Sequence, residues 1–282
     1  MKILNGKELA IKIKDEVKAE VEALKANGVK VTLAVIQVGT DPASSTYVKN
    51  KQKACKYCGI QTITYNLDHN VSEEHLLSLI AMLNSDIHTN GILVQLPLPE
   101  HIDEHKVIQS IAPEKDVDGF HEINVGKLMI GEDTFVPCTT KGIIELLKAN
   151  NIEIEGKECV VVGRSNIVGK PTAIELLNNN ATVTICHSKT GNLKRICKAA
   201  DIVICAIGKP KFFNSEYFSP WSVVIDVGIH HQEDGTLCGD VDFEDVKDCV
   251  SAITPVPGGC GAMTVAMLMK NCVQAAKKMN FR

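Results

Sequence analysis

The sequence predicts an α/β protein of two units, and three observations carry that expectation. Short apolar runs recur along the chain and alternate with stretches of helical spacing, the rhythm of parallel strands joined by crossover helices. One run, Cys159-Val160-Val161-Val162, ends at Gly163 and leads through Gly169 into Thr172-Ala173-Ile174-Glu175-Leu176-Leu177. That pattern is a buried strand, a tight turn and a helix. At 282 residues the chain is long enough for two domains and a well-buried core.

In the first half, Leu9, Ile13, Val17, Val21 and Leu24 recur at helical spacing over residues 5–27, and Gly28 is a natural stop. Residues 31–38 form a strand, Gly39-Thr40-Asp41-Pro42 a turn, and residues 43–58 a second helix closed by Gly59. Tyr47 and Lys51, four positions apart, share a face of that helix just after a strand end, where open α/β sheets collect ligands. The helix also carries Lys49, Lys53 and Lys56, so a solvated face is the competing reading of the pair. Residues 62–66 form a further strand, and Ser72 caps a helix to Asn84 with Glu73 and Glu74 in its first turn. The apolar strand Gly91-Ile92-Leu93-Val94 ends in Gln95, whose amide must be satisfied inside the fold or face a cleft. Residues 102–111 form a short helix, and Pro113 to Phe120 a loop carrying Glu114, Asp116 and Asp118. The loop lacks the regularly spaced oxygen ligands of a calcium site. His101 and His105 lack the Glu and the third ligand of a zinc-binding helix.

A new unit begins near Thr139 or Thr140, either of which caps a helix running through Lys148. It contains the strand and turn at Gly163. Glycines at such a turn let the backbone approach a pyrophosphate, and the N–H groups of the following helix favour the anion. Gly163 and Ser165 stand for the first two glycines of G-x-G-x-x-G, but Val168 falls where the third is expected and Gly169 comes one residue late. As a bare motif the loop fits a nucleotide site or an ordinary strand-to-helix turn. The next strand, Thr182 to Cys186, ends at His187-Ser188-Lys189, where an NAD-binding unit places a carboxylate for the ribose 2′-hydroxyl. No acidic residue lies between Glu175 and Asp201, whereas Arg164, Ser188 and Lys189 offer donors suited to a 2′-phosphate. NADP is therefore the expected dinucleotide. Residues 201–210 and 221–228 form two more buried strands, and Thr254 to Thr264 a rigid glycine-rich loop before an apolar helix to Lys278.

Charge and composition exclude several classes. A formal net charge of −4, a pI near 6.1 and basic residues scattered among acids leave no field for nucleic acid. The N-terminus has no apolar signal region and no run approaches a membrane span, so a cytoplasmic location is expected and no membrane partner. Eleven cysteines, an odd number mostly in apolar segments, suit reduced core thiols rather than a disulfide framework. Cys55 and Cys58 form one C-x-x-C with no second pair at ligand spacing, and no metal is expected.

Five ordered stretches give a more specific signal. They are Tyr47-Val48-Lys49-Asn50-Lys51-Gln52-Lys53-Ala54-Cys55, Val94-Gln95-Leu96-Pro97-Leu98-Pro99, Lys115-Asp116-Val117-Asp118-Gly119-Phe120, Gly163 to Pro171, and Pro255-Val256-Pro257-Gly258-Gly259. Over essentially the whole chain they resemble the bifunctional methylenetetrahydrofolate dehydrogenase/cyclohydrolase family. The resemblance implies NADP-dependent oxidation of 5,10-methylenetetrahydrofolate to the 5,10-methenyl compound, then hydrolysis to 10-formyltetrahydrofolate. It also implies a place in the one-carbon metabolism that feeds purine, methionine and histidine biosynthesis. By the same resemblance Lys51 is the catalytic lysine, Gln95 supports it and Tyr47 packs along the folate. Asp118 holds the pterin ring, with Pro257, Gly258 and Gly259 completing the substrate side. Gly163, Arg164, Ser165, Ser188 and Ile229 contact the nucleotide.

The architecture so implied has an α/β folate unit, residues 1–138, rejoined by a C-terminal helix, 264–282, and a Rossmann-like parallel-sheet NADP unit, 139–263. By the resemblance folate would lie in the cleft between them, and the enzyme, like members of the family, would be a homodimer. One departure stands out. The family usually reads P-G-G-V-G-P-M-T in the last loop, and Cys260 and Ala262 replace the Val and the Pro. That bears on loop rigidity and folate affinity, not on the reaction class. Two rival readings remain, a monofunctional NAD(P)-dependent dehydrogenase and a nucleotide sensor without chemistry. A sensor has no use for Tyr47, Lys51, Gln95 and Asp118.

Overall fold

Strand β1 (Lys2–Ile3) and helix α1 (Gly6–Ala26) open the chain in the computed structural model, which describes residues 1–232 and 234–280. The contacts divide the molecule into two units, Ile11–Cys138 with Val265–Arg282, and Met1–Ala10 with Thr139–Thr264.

The first of these units holds β2 (Thr32–Val38), α2 (Pro42–Cys58), β3 (Gln61–Leu67), α3 (Glu73–Ser85), β4 (Gly91–Val94), α4 (Glu104–Ser110) and α5 (Glu122–Met129). Its three strands are parallel in the order β3-β2-β4, with Ile36 facing Tyr65 on one side and Val94 on the other. Every residue of β2 is buried, as a central parallel strand requires. The apolar stripe of α3, Leu76, Ile80 and Leu83, packs with Ile36, Ile92, Ile102 and Val107. Each such side chain contributes about 1.5–3 kcal/mol by leaving water. Local chemistry sets the helix ends. The Asp41 carboxylate accepts from the Ser44 N–H at 2.7 Å to start α2, and Gly59, at φ 77°, closes it in the left-handed region. Ser72 starts α3 as expected, accepting from the His75 N–H.

The other unit holds α6 (Cys138–Ala149), β5 (Glu158–Val162), α7 (Gly169–Asn178), β6 (Thr182–Cys186), α8 (Leu193–Ala199), β7 (Ile202–Cys205), β8 (Val223–Asp226), β9 (His230–His231), β10 (Leu237–Cys238), α9 (Phe243–Val246), β11 (Ala252–Ile253) and the start of α10 (Cys260–Asn280). Six parallel strands run in the order β1-β11-β8-β7-β5-β6, and β9 and β10 form a separate antiparallel pair. Alternate residues of β5 serve two cores, Cys159 and Val161 with Ile143, Leu147 and Leu176, and Val160 and Val162 with Phe213, Val224 and Ile253. The sheet is thus covered on both faces.

Several expectations are corrected. Residues 2 and 3 were assigned by sequence to the first unit, but they pair with Ala252 and Ile253 at the rim of the six-stranded sheet. A two-residue strand has no periodicity to betray it. The strand anticipated over 221–228 is only Val223–Asp226, and Trp221 is 57% exposed. Helices α5, α8 and α9 and the β9-β10 pair were not anticipated. All eleven cysteines are free thiols, ten of them buried. No helix among the described residues is long and apolar enough to cross a membrane.

Candidate active site

In the three-stranded unit, Lys51 meets Gln95 at the carboxyl end of β4. The Gln95 N–H donates to the Ile36 carbonyl at 2.9 Å, extending the ladder by one residue and fixing its Cα. Its side-chain amide donates to the Leu96 carbonyl at 2.7 Å, which leaves Oε1 to accept from Lys51 Nζ at 3.1 Å. Lys51 comes from α2 and is partly buried. Tyr47, one helical turn earlier, is 38% exposed, and burial of the rest of its ring raises the phenol above its ordinary pKa.

Asp118 belongs to the loop after α4, and that loop is fixed with unusual thoroughness. Asp116, buried, accepts from the N–H groups of Gly119 at 3.1 Å and His121 at 2.8 Å and from Asn124 Nδ2 at 2.8 Å. Lys115 is 4% exposed and donates to the carbonyls of Leu83 and Asp86 at 2.9 and 2.7 Å, capping the end of α3, while burial lowers its pKa. Asn271 of α10 donates to the Val117 carbonyl at 2.8 Å. Gly119 sits at φ 77°, and a Cβ there would overlap the Phe135 carbonyl, so glycine is required. Burial raises the Asp118 carboxyl above its ordinary pKa, opposed by the positive charge of Lys51 and a hydrogen bond with the Cys138 thiol. Val94, Leu96, Phe120 and Asp118 line a narrow pocket beside this loop.

In the six-stranded unit, Gly163 has φ 139°, and a Cβ there would overlap the Ala206 carbonyl. Gly169 lies as tightly against the Gly163 carbonyl. These two glycines satisfy the steric demand of the turn, so the late position of Gly169 is a variant spacing with the same close approach. Ser165 Oγ accepts from the N–H groups of Val168 and Gly169, both at 3.2 Å, and so caps α7. Val162 is opposite Cys186 and the Gly163 N–H donates to the Cys186 carbonyl, which brings Arg164 and Ser188 to the ends of neighbouring strands. Both are exposed. Ile229 follows β8, two strands further along the same edge, and its Cδ1 lies against Gly261. Pro257, Gly258 and Gly259 occupy a turn in this unit, not in the one that carries Lys51. There the Lys7 N–H donates to the Gly258 carbonyl at 2.8 Å, and Gly6 is packed directly against the Gly259 backbone. Cys260 is buried in the core cluster and its thiol is pushed up to about 12.

Sequence reasoning assigned no role to Lys115 and Asp116 and passed over Asn271, Asp226 and Asp240. A carboxylate closing an apolar strand, as Asp226 does in Val223-Val224-Ile225-Asp226, was the available signal.

A six-stranded parallel sheet with a glycine-bound strand-to-helix turn, and a second α/β unit bearing a lysine–glutamine pair, define a dinucleotide-dependent α/β enzyme. Comparison with known proteins makes this specific. Residues 4–118 match the catalytic domain, and residues 137–280 the NAD(P)-binding domain, of tetrahydrofolate dehydrogenase/cyclohydrolase. The chain is 62% identical over 276 residues to the bifunctional protein FolD of Lachnoclostridium phytofermentans, covering 98% of each. Among solved structures, the FolD dehydrogenase/cyclohydrolase of Campylobacter jejuni is 50% identical, with a TM-score of 0.97 and 99% of each chain covered. The Trypanosoma brucei enzyme, solved with NADP cofactor and inhibitor, is 38% identical, with a TM-score of 0.95 over 99% of this chain and 98% of that one. The chain belongs to the tetrahydrofolate dehydrogenase/cyclohydrolase family. It is a bifunctional enzyme that oxidises 5,10-methylenetetrahydrofolate and hydrolyses the methenyl product to 10-formyltetrahydrofolate.

Proposed function

We propose that one group of side chains, Lys51, Gln95, Tyr47 and Asp118, serves both reactions, and that NADP is the preferred hydride acceptor. The observation that carries the catalytic part is the Lys51–Gln95 hydrogen bond, made by a glutamine whose amide orientation is already fixed from the other side. Oxidation removes a hydride from the methylene carbon and leaves a cation delocalised over its two nitrogens, so that step needs alignment and no net proton transfer. Hydrolysis adds water to that carbon, takes a proton from the water and expels one nitrogen as the ring opens, so a proton carrier must reach the carbon and its neighbours. Lys51 is that carrier, Gln95 aims it, and Tyr47 shields the ring. Asp118, in its carboxylate form, accepts from the adjacent N–H groups of the pterin edge.

Arg164, Ser165, Ser188 and the N-terminus of α7 fit a dinucleotide with a 2′-phosphate, since no acidic side chain follows β6 before Asp201. The nicotinamide, when bound, supplies the hydride acceptor. Gly163 lets the chain approach the pyrophosphate, and Ile229 contacts the nucleotide. The related Trypanosoma brucei structure, solved with NADP, supports this preference. A second copy of the chain is the expected partner, and β6 offers a place for it. That strand is at the edge of its sheet and largely exposed, with Ile185 at 40%. The cytoplasm is the expected location. The test is an absorbance assay on the purified protein. Methylenetetrahydrofolate with NADP yields NADPH and the methenyl compound, which then decays, and NAD supports the oxidation poorly. A kcat/KM for NAD equal to or above that for NADP overturns the preference.

A further inference from the structure

Asp240 is fully buried, yet four donors converge on its carboxylate. Oδ2 accepts from the N–H groups of Ile207 at 2.6 Å and Gly208 at 3.0 Å. Oδ1 accepts from the Lys209 N–H at 2.9 Å and from His230 Nε2 at 2.8 Å. Residues 207–209 follow β7, and His230 follows β8 next to Ile229, so the carboxylate ties together the chain leaving two adjacent strands at the ligand edge of the sheet. Its surroundings leave no freedom. A Cβ at Gly228 would overlap Oδ1, and the Asp240 N–H is held by Asp226 Oδ1 at 2.9 Å. The held segment begins at Ala206, whose N–H donates to the Val162 carbonyl at 2.9 Å and whose own carbonyl is the group packed against Gly163.

We infer that Asp240 is a positioning residue for the nucleotide site, setting the place of the Ala206 carbonyl against Gly163 and of Ile229 through His230. The inference rests on the reading that the dinucleotide binds at the Gly163 turn. Four N–H donors need a group with acceptor capacity on both oxygens, which a carboxylate has and an amide does not. In Asp240→Asn one pair of donors faces an NH2 group, and the segment on that side is released. An uncompensated carboxylate would be costly at this depth, which four donors prevent.

The experiment measures NADPH binding by fluorescence titration, together with hydrolysis of supplied methenyltetrahydrofolate, a reaction that consumes no nucleotide. Asp240→Asn should raise the Kd for NADPH by roughly 10-fold or more while hydrolysis stays near wild type. In the oxidation the KM for NADP should rise and kcat at saturation should hold, a split that a general loss of stability would not give. His230→Ala should weaken NADPH by roughly threefold, and His230→Gln, which keeps a donor at the same reach, should restore it. Wild-type affinity for NADPH in Asp240→Asn overturns the inference while leaving the nucleotide site in place. Failure of the wild type itself to bind NADPH removes the nucleotide reading and the inference with it. If Asp240→Asn also loses hydrolysis, the His230 pair decides: equal affinity in His230→Ala, His230→Gln and wild type overturns it.

Discussion

Lys51 Nζ and Gln95 Oε1, 44 positions apart in sequence, meet at 3.1 Å because α2 and the end of β4 bring them together. The glutamine is not free to turn its amide over, since its nitrogen is committed to the Leu96 carbonyl. Lys51→Met keeps most of the stem and removes the ionisable nitrogen. It should lower hydrolysis of the methenyl compound roughly 100-fold or more, and NADPH formation less. Two assays on one purified variant, with a thermal melt to confirm folding, decide the matter. Equal losses would reduce Lys51 to a substrate-positioning group, and undiminished hydrolysis would remove it from the mechanism.

Arg164 and Ser188 stand at the ends of neighbouring strands, and no acidic residue follows β6 before Asp201. Arg164→Ala should raise the KM for NADP roughly 10- to 100-fold, the worth of one charge-assisted contact, and leave the KM for NAD nearly unchanged. Initial rates against both dinucleotides measure this. A parallel loss for NADP and NAD would mean that the guanidinium does not distinguish a 2′-phosphate.

Asp226 makes stability depend on pH in a direction opposite to that of a salt-bridged carboxylate. Burial raises its pKa from 3.8 to about 6, despite the N–H groups of Gly228, Asp240 and Val241 that favour the ion. Between those values the folded protein holds a proton that the unfolded chain has lost. The contribution is therefore complete below pH 3.8 and is lost as the pH rises through about 6. The difference between those two values corresponds to about 3 kcal/mol. In urea unfolding, the stability of wild type relative to Asp226→Asn should be most favourable near pH 4 and decline towards pH 7. A difference that stays flat or grows with pH would contradict this.

What could be read from the chain follows the range of the forces involved. Tyr47 and Lys51 were singled out by their four-residue spacing on a helix just after a strand end, whereas Gln95 stood out because it closes an apolar strand, a property of a few neighbouring positions. The nucleotide turn was legible for the same reason, and its displaced glycine proved to satisfy the same steric need at Gly163. Lys115 and Asp240 escaped because their partners lie far away in sequence. Nothing near Asp240 announces that the N–H groups of residues 207–209 will turn towards it. Lys115 resembled a loop lysine and is a buried cap for a helix that ended 30 residues earlier at Ser85.

The pairing of Lys2 and Ile3 with Ala252 and Ile253 also orders events in time. During synthesis the rim strand of the six-stranded sheet emerges long before its partner, and for most of translation it has nothing to pair with. Strands β5 to β8 are close in sequence and pair over short loops, whereas β1 must wait for β11 to complete the ladder. A nascent chain stalled before residue 252 would hold the nucleotide turn already shaped but the rim open. Closure of that rim therefore waits for residue 252, a delay set by strand order alone.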